Sequence, residues 1–585
     1  MNKGFSLIEV VLAAALFMLF SSAAVGVVLQ GFSANRLGSE ETIANQFAAE
    51  GIEAVKSVKN QAYTNLTVPN PTPRGVLRNA SNVWEFEADG TDDRLTHNAS
   101  DDYIRQVKVE SVNRDGIPPA GNVVSTGGTP DPDTKKITST VNWNFNATRP
   151  ESVVLTTYLS DWRKPIVSGG PIMMAYSKTT NTPLYRTWDG SAWSTEGSNT
   201  QIVGGNINYV VLKSSRTRNE AVLGTLDVNG NIHAQVWNGT SWDNLQLMVN
   251  LGSANAATRS FDMAYEKSGD RLIIVYPSGA GNIDFAYRTW DGVSWSDPTT
   301  VTAPPTTGVI KWIELVPNPI STSNEIVTIM FDANSDVYGM VWNGSSWGNM
   351  GASAVWDATA STSNTKKGID VAYEQTSGRA MFIWADSATD NQIYRIWDGT
   401  SLTAPATLTI ADSNGIGEWA QLASRPNSNE LMYGIQDAAA DLNTRKWSGS
   451  GWDTATQHPE HDASVENITS MNFDLIWETY SANPGKAWLM WGDSAAVSKK
   501  QWSGTAWGGA STLTGSDDTS FIRLKADPSS GAVFAGIYES AASASDDIWE
   551  SRLTGGGTVW SAKNTIWGGL VSAEPVFFRI DIATP

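Results

Sequence analysis

Thr187-Trp188-Asp189-Gly190-Ser191-Ala192-Trp193 is the stretch from which the fold of this chain is read. Two tryptophans five residues apart flank a polar residue and a glycine, and the pattern Trp-[Asp/Asn/Ser]-Gly-x-x-Trp returns along the chain. Its copies pair Trp188 with Trp193, Trp237 with Trp242, Trp290 with Trp295, Trp342 with Trp347, Trp447 with Trp452 and Trp502 with Trp507. Trp397-Asp398-Gly399 carries Leu402 in the second place, and a degenerate eighth copy sets Leu553 and Trp560 around glycines 555–557. Successive second positions lie 49 to 55 residues apart. A repeat of that length, built of several short strands, specifies a β-propeller. In one unit, residues 260–266, 271–276 and 283–290 alternate as three strands, after which Asp291-Gly292 opens a further hairpin. Glycine supplies the backbone angles such a loop needs. The two tryptophans are expected to face each other on paired strands, where an aromatic pair is worth about 0.5–1.5 kcal/mol.

The ends of the array set the blade number. The first unit begins at its second strand, residues 171–177, with no first strand before it. Residues 576–582 read as a first strand with no second one after it. Joining them completes eight blades and removes the open edge that invites aggregation, with seven blades or an open array as the alternatives.

Composition agrees with this reading. The 585 residues include 26 Trp and 51 Gly with 17% charged side chains, which suits a strand-and-turn protein with repeated aromatic positions. A net charge of −20 argues against a nucleic-acid-binding surface. The absence of cysteine excludes disulfides, thiolate metal sites and cysteine nucleophiles.

Upstream of the array the pattern changes twice. Residues 5–29 hold one charged side chain, Glu9, in an otherwise apolar or small-residue run. As a helix they extend about 37 Å, enough for a bilayer core of about 30 Å. A carboxylate inside such a span costs about 2.5–3.5 kcal/mol, so its presence suggests a task. Helical spacing continues through Ile43, Phe47, Ile52, Val55, Val58 and Ala62, weakened at Gly26, Gly31 and Gly51, and ends before Pro69, Pro71 and Pro73. Residues 84–87, 103–109, 136–143 and 153–159 then alternate with the period of strands.

The run Lys3-Gly4-Phe5-Ser6-Leu7-Ile8-Glu9-Val10 resembles the N-terminus of type IV prepilins and type II secretion pseudopilins. Ala48-Ala49-Glu50-Gly51-Ile52-Glu53-Ala54-Val55 and the strands at 136–143 and 153–159 are similar to V- and I-type minor pilins. The resemblance implies a leader at 1–4, an assembly helix at 5–65 and a pilin-like antiparallel sheet at 66–165, after which the repeats place a propeller at 166–585. It implies cleavage between Gly4 and Phe5 by a membrane prepilin peptidase, N-methylation of Phe5, and contact of Glu9 with the Phe5 amine of a neighbouring subunit. It further implies a single-pass precursor in the bacterial inner membrane with the propeller outside the cytoplasm, and then a place in a pilus or secretion pseudopilus at the cell surface.

Sites for chemistry are weighed against plainer roles. Sialidase turns read Ser-x-Asp-x-Gly-x-x-Trp, and the present motif is one residue short between Asp and Gly. Fucose-lectin and tachylectin propellers are similar in having Trp-rich repeats of this length. Arg186, Arg288, Arg395 and Arg445, two residues before a repeat Trp, read either as sugar clamps or as solvent-facing partners of acids. The repeat tryptophans themselves, Trp397 and Trp560 included, read as blade packing. Asp227, Asp332, Asp386, Asp437, Asp493 and Glu539 recur after each second strand and read as turn caps more readily than as catalysts. The acid clusters at 89–93 and 131–133 lack calcium-loop spacing, and His458-Pro459-Glu460-His461-Asp462 reads as a surface loop. The expectation is therefore a filament component with no cofactor, no metal and no catalytic residues, whose partners are the peptidase, other pilin subunits and a glycan or surface protein held by surface loops. The competing expectation is a filament-tethered carbohydrate-active enzyme.

Overall fold

The computed structural model describes residues 6–584 apart from 62, 67–71, 98–101, 116–121, 161–170, 178–180, 199–203, 282, 305–307, 352–353, 361–364, 388, 411–412, 414, 466–469, 481–484, 494–495, 517–518, 540–545 and 571–579. Contacts divide the chain into two units, Met1–Ile166 and Val167–Pro585.

The first unit is one helix on one sheet. The helix, Leu7–Gln61, is 55 residues long, about 83 Å. Between Leu7 and Phe32 its large apolar side chains face outward, and an 18-residue window there has mean hydropathy 2.4, enough to cross a membrane. From Glu40 onward the helix buries Ala44, Ala48, Gly51, Ile52, Ala54, Val55 and Val58. Its partner is an antiparallel sheet ordered Trp84–Asp89, Arg74–Arg78, Asp102–Arg114, Thr129–Asn146 and Arg149–Ser160. Gly51, expected as a weak point, is where helix and sheet approach most closely: a Cβ there would lie 2.5 Å from Ser139 Oγ. Buried Arg105 ties sheet to helix through Asp93 and Glu50, both at 2.9 Å, and the Trp143 indole donates to Glu40 at 3.0 Å. Asp93 and Asp131, from the two acid clusters, are taken up by Arg105 and Arg114.

The second unit is an eight-bladed propeller, with each blade an antiparallel sheet. Blade 1 is built from both ends of the unit. Its inner strand, Ile580–Ala583, pairs with Met173–Tyr176, followed outward by Leu184–Thr187 and Gly197–Ser198. Of the closing segment expected at 576–582, residues 576–579 lie outside the described residues. Blades 2 to 8 begin with inner strands Ile207–Ser214, Asp262–Tyr265, Ile310–Pro317, Ile369–Tyr373, Gly417–Ser424, Phe473–Trp477 and Thr519–Ala526. Each blade has a fourth, outer strand that the sequence reading did not separate, except blade 6, whose sheet has three. Every motif pair is an antiparallel partner, Trp397↔Leu402 and Leu553↔Trp560 included. The double-tryptophan pairs place their ring centroids 5.4 to 5.8 Å apart. The motif glycine takes a left-handed φ between 92 and 107° in seven copies, while the preceding Asp or Asn accepts the next backbone N–H groups, as Asp189 does from Ser191 and Ala192 at 2.7 Å.

Neighbouring blades are latched by the first motif tryptophan. Trp290, Trp342, Trp397 and Trp447 donate their indole N–H to Glu220, Glu266, Glu325 and Glu374 of the preceding blade, at 2.7 to 3.4 Å. A buried indole with an acceptor adds a directional bond to a large apolar contact.

The two tryptophans of a copy, alike in the repeat, differ in the structure. Trp237, Trp290, Trp342, Trp447 and Trp502 in the first place are buried, and Trp188 is half-buried. In the second place Trp242 is buried, as is Trp560 of the degenerate copy, whereas Trp193, Trp295, Trp347, Trp452 and Trp507 are half-buried. The difference follows from position, since the second tryptophan stands on the outermost side of its blade. It still reaches the preceding blade in every copy. Trp193, Trp242, Trp347 and Trp452 set a ring against Phe534, Tyr185, Phe285 and Tyr394 at 5.6 to 5.7 Å. Trp295 and Trp507 instead donate their indole N–H, to the Asn244 carbonyl and to Thr444 Oγ1, both at 3.1 Å.

Candidate functional site

The axis of the propeller is built on a repeat of two blades. Inner strands of odd blades carry Asp262, Asp370, Asp474 and Asp581 behind Phe or Ile, 104 to 108 residues apart. Each carboxylate accepts the N–H of the next residue in its own strand. It also crosses to the inner strand of the following blade, where it accepts from Leu315, Leu422, Leu524 and Leu212 respectively, at 2.5 to 2.9 Å. The residue before each of those leucines, Glu314, Gln421, Arg523 or Val211, lines the axial tunnel. Strand alternation explains this: leucine turns into the blade, and its neighbour turns toward the axis.

The tunnel, about 160 Å³, is walled by charge of both signs. Arg259 lies 3.2 Å from Asp262 and bonds Glu314. Lys367 lies 3.4 Å from Glu314 and 3.7 Å from Asp370, Lys213 lies 3.6 Å from Asp262, and Arg523 lies 3.1 Å from Asp581. Burial favours the neutral acids, but Arg259 and Lys367 outweigh it at Glu314 and hold that carboxyl below its ordinary range. Arg523, Lys525 and Lys213 do the same at Asp581. At Asp370 burial prevails, reinforced by Glu314, and the carboxyl is pushed up to about 6. Each tunnel carboxylate thus already holds backbone N–H groups, a cation, or both. This arrangement cross-braces the ring.

The tunnel opens, at the C-terminal ends of the inner strands, into a wider mouth of about 320 Å³ that shares Lys213, Leu315, Val316 and Lys525 with it. Among the described residues lining this mouth, Lys213, Arg216, Lys267 and Lys525 carry the charged side chains, and none is a carboxylate. Burial pushes the Lys525 ammonium down to about 8, Arg523 adding to the effect, and burial followed by Arg216 does the same to Lys267.

Residues singled out by sequence fall elsewhere. Gly4 and Phe5 lie outside the described residues. Glu9 reaches back to accept the Ser6 N–H at 3.0 Å, so Ser6-x-x-Glu9 forms half of a capping box on the helix. Arg186, Arg288, Arg395 and Arg445 are bound to backbone carbonyls, and Arg445 also lies 3.8 Å from the Asp453 carboxylate. They donate to the carbonyls of Ser194, Ser296, Thr403 and Asp453, stitching the outer hairpin of their own blade. None of the repeat tryptophans is among the residues lining the tunnel or its mouth. Asp227, Asp332 and Asp437 cap the turns after their strands, each accepting two turn N–H groups. The histidine loop is a correction: His458 and His461 are 3% and 7% exposed, not on the surface. Thr444 Oγ1 sits between His458 Nδ1 and His461 Nε2 at 2.9 and 2.8 Å, and the His458 ring stacks on Trp502. The loop packs against blade 6, with Asp462 bridging Leu442, where other blades have an outer strand. Among the described residues no group of three or more His, Asp or Glu side chains is arranged to hold a metal ion. The axial aspartates were missed, although Phe/Ile-Asp at twice the blade period was there to be read.

No protein-family model matches the chain, and no curated protein matches it. Among solved structures it is similar to the BP39L lectin from Burkholderia pseudomallei, at 10% identity over 62% of this chain and 100% of that one, with TM-score 0.45. A lectin from Aleuria aurantia in complex with Fucα1-6GlcNAc is similar at 12% identity over 61% and 95%, with TM-score 0.34. Apo AztD from Citrobacter koseri is similar at 11% identity over 70% and 97%, with TM-score 0.39.

Proposed function

We propose that the chain is a minor pilin or pseudopilin of a type IV pilus or type II secretion filament, carrying the propeller as a non-catalytic head for adhesion or ligand binding. The helix is the observation that carries this reading. It is continuous for 55 residues, its second half is packed on its own sheet, and its first half exposes its large apolar side chains. Burying one such side chain is worth about 1.5–3 kcal/mol, so the outer half demands a bilayer first and neighbouring helices afterwards. Gly4-Phe5 supplies the cleavage and methylation point. In the free chain the Glu9 carboxylate caps its own helix. On assembly it exchanges that bond for the Phe5 amine of a neighbour, a charge pair strengthened by low dielectric. A head of about 420 residues has a radius of gyration near 22 Å and is roughly 55 Å across. Packed helices lie only about 10 Å apart. A head on every subunit would clash, which favours the tip or sparse positions.

N-terminal sequencing of filament-associated protein should start at Phe5, and a start at Met1 or Asn2 refutes the processing. Glu9→Val should insert in the membrane yet fail to enter filaments. Antibody against the propeller should mark tips or scattered points, whereas continuous labelling overturns the sparse placement.

A further inference from the structure

The mouth of the axial tunnel reverses the charge of the molecule. The chain carries a net charge of −20, so an unselected concavity should be acidic. Here four cations contributed by blades 2, 3 and 8 converge on about 320 Å³, with no carboxylate side chain among the described residues of the lining. Lys213 is partly answered by Asp262 at 3.6 Å. Lys267 and Lys525 form no ion pair among the described residues, and the charge that acts on Lys267 is another cation, Arg216. Inside the tunnel Lys525 feels Arg523 and Lys213 against Asp581 and Asp474. Holding these ammonium groups charged in a half-buried site is unfavourable until an anion joins them. Four separated donors without acids rule against a metal ion. Three of the four are lysines, flexible point charges that suit a tetrahedral oxyanion better than a flat carboxylate. Val316, Pro317 and Pro319 form an apolar wall beside them, and the volume falls at the small end of ligand pockets.

We propose that this mouth binds a small ligand bearing a tetrahedral oxyanion, a sulfate or phosphate ester, through Lys213, Arg216, Lys267 and Lys525. The inference rests on the reading of the propeller as a ligand-binding head and names the chemistry that head selects.

The test is calorimetric titration of the full chain in a neutral detergent at constant low ionic strength. The probes are glucose 6-sulfate, glucose 6-phosphate, inorganic sulfate, inorganic phosphate and glucose. The esters should bind and glucose should not, and the ratio of the two esters identifies the source of the anion. Lys267→Gln and Lys525→Gln should each weaken ester binding tenfold or more, while Lys56→Gln on the helix of the first unit should leave it unchanged. If Lys525→Gln does not fold, Arg216→Gln with Lys267→Gln on the rim carries the test. Binding of no ester above the chloride background overturns the proposal. So does unchanged ester affinity in a folded Lys267→Gln/Lys525→Gln chain. Ester binding without attachment to any cell or glycan surface refutes the head and leaves the anion site standing. Attachment that persists undiminished in the double variant refutes the anion site and leaves the head.

Discussion

Asp581→Ala tests how the ring is closed. Asp581 sits on the C-terminal strand, yet it binds three blades at once: Ile582 N–H at 2.9 Å in blade 1, Leu212 N–H at 2.9 Å in blade 2, and Arg523 Nε at 3.1 Å in blade 8. Removing the buried carboxylate leaves the half-buried Arg523 guanidinium short of its closest partner, a loss of about 3–5 kcal/mol. It also orphans an N–H across the blade junction, about 1–3 kcal/mol. The two losses share a site and do not add fully, so about 4–6 kcal/mol is expected. An unfolding entropy of about 2.1 cal/mol/K per residue over about 420 residues gives a shift near 1.1 °C per kcal/mol, or about 4–7 °C. Asp370→Ala is the matched control. It removes the same pair of N–H bonds, but its cation, Lys367, is 3.7 Å away and its carboxyl is pushed up to about 6, so little charge pairing is lost. Its expected shift is about 1–3 °C. Differential scanning calorimetry of the full chain in neutral detergent at pH 7 reads both. Deleting residues 574–585 should lower the midpoint further and promote aggregation by baring an edge strand. Equal shifts in the two variants, or a drop under 2 °C for Asp581→Ala, would refute the argument that this carboxylate locks the ring.

Burial, with Lys500 and His458 adding, holds His461 neutral well below its ordinary value of 6.5. The unfolded chain therefore takes up the extra proton as pH falls through 6.5, and stability is lost below that pH by up to about 1.4 kcal/mol per pH unit. Propeller midpoints measured from pH 8 to 5 should fall below 6.5, and His461→Gln should show a shallower slope; identical slopes refute the assignment. Gly51→Val should undock helix from sheet, since even a Cβ meets Ser139 Oγ at 2.5 Å and Arg105 Cδ at 3.0 Å. A loss of about 1–3 kcal/mol or more is expected in thermal melts of the first unit, and unchanged melting argues against the close approach.

The sequence by itself determined the long helix and the propeller repeat, and it favoured eight blades closed by the last strand over seven blades or an open array. Those features rest on short-range chemistry. Trp188-Asp189-Gly190 makes its own turn, because the aspartate caps N–H groups two and three residues on and the glycine takes a left-handed φ. Repetition then counts the blades, and an unpaired strand at each end can pair only with the other. Ser6-x-x-Glu9 was equally local and equally legible. Tertiary structure alone decided the rest. Asp262 finds its second partner on Leu315, 53 residues away in another blade, so its role is invisible until the blades stand side by side. Trp242 and Trp347 occupy the same place in the repeat, yet only the packed ring makes one buried and the other half-buried. Arg186 reads either as a sugar clamp or as a partner of acids, and only the folded outer hairpin brings the Ser194 carbonyl to its guanidinium. His458 and His461 read as a polar loop until Thr444 and Trp502 enclose them. Lys213, Lys267 and Lys525 are single charges in a chain of 100, and only closing the ring brings them to one opening. Turns and strands are dictated by neighbours in sequence, whereas a site on the axis is dictated by which strands converge there, and convergence is a property of the closed ring.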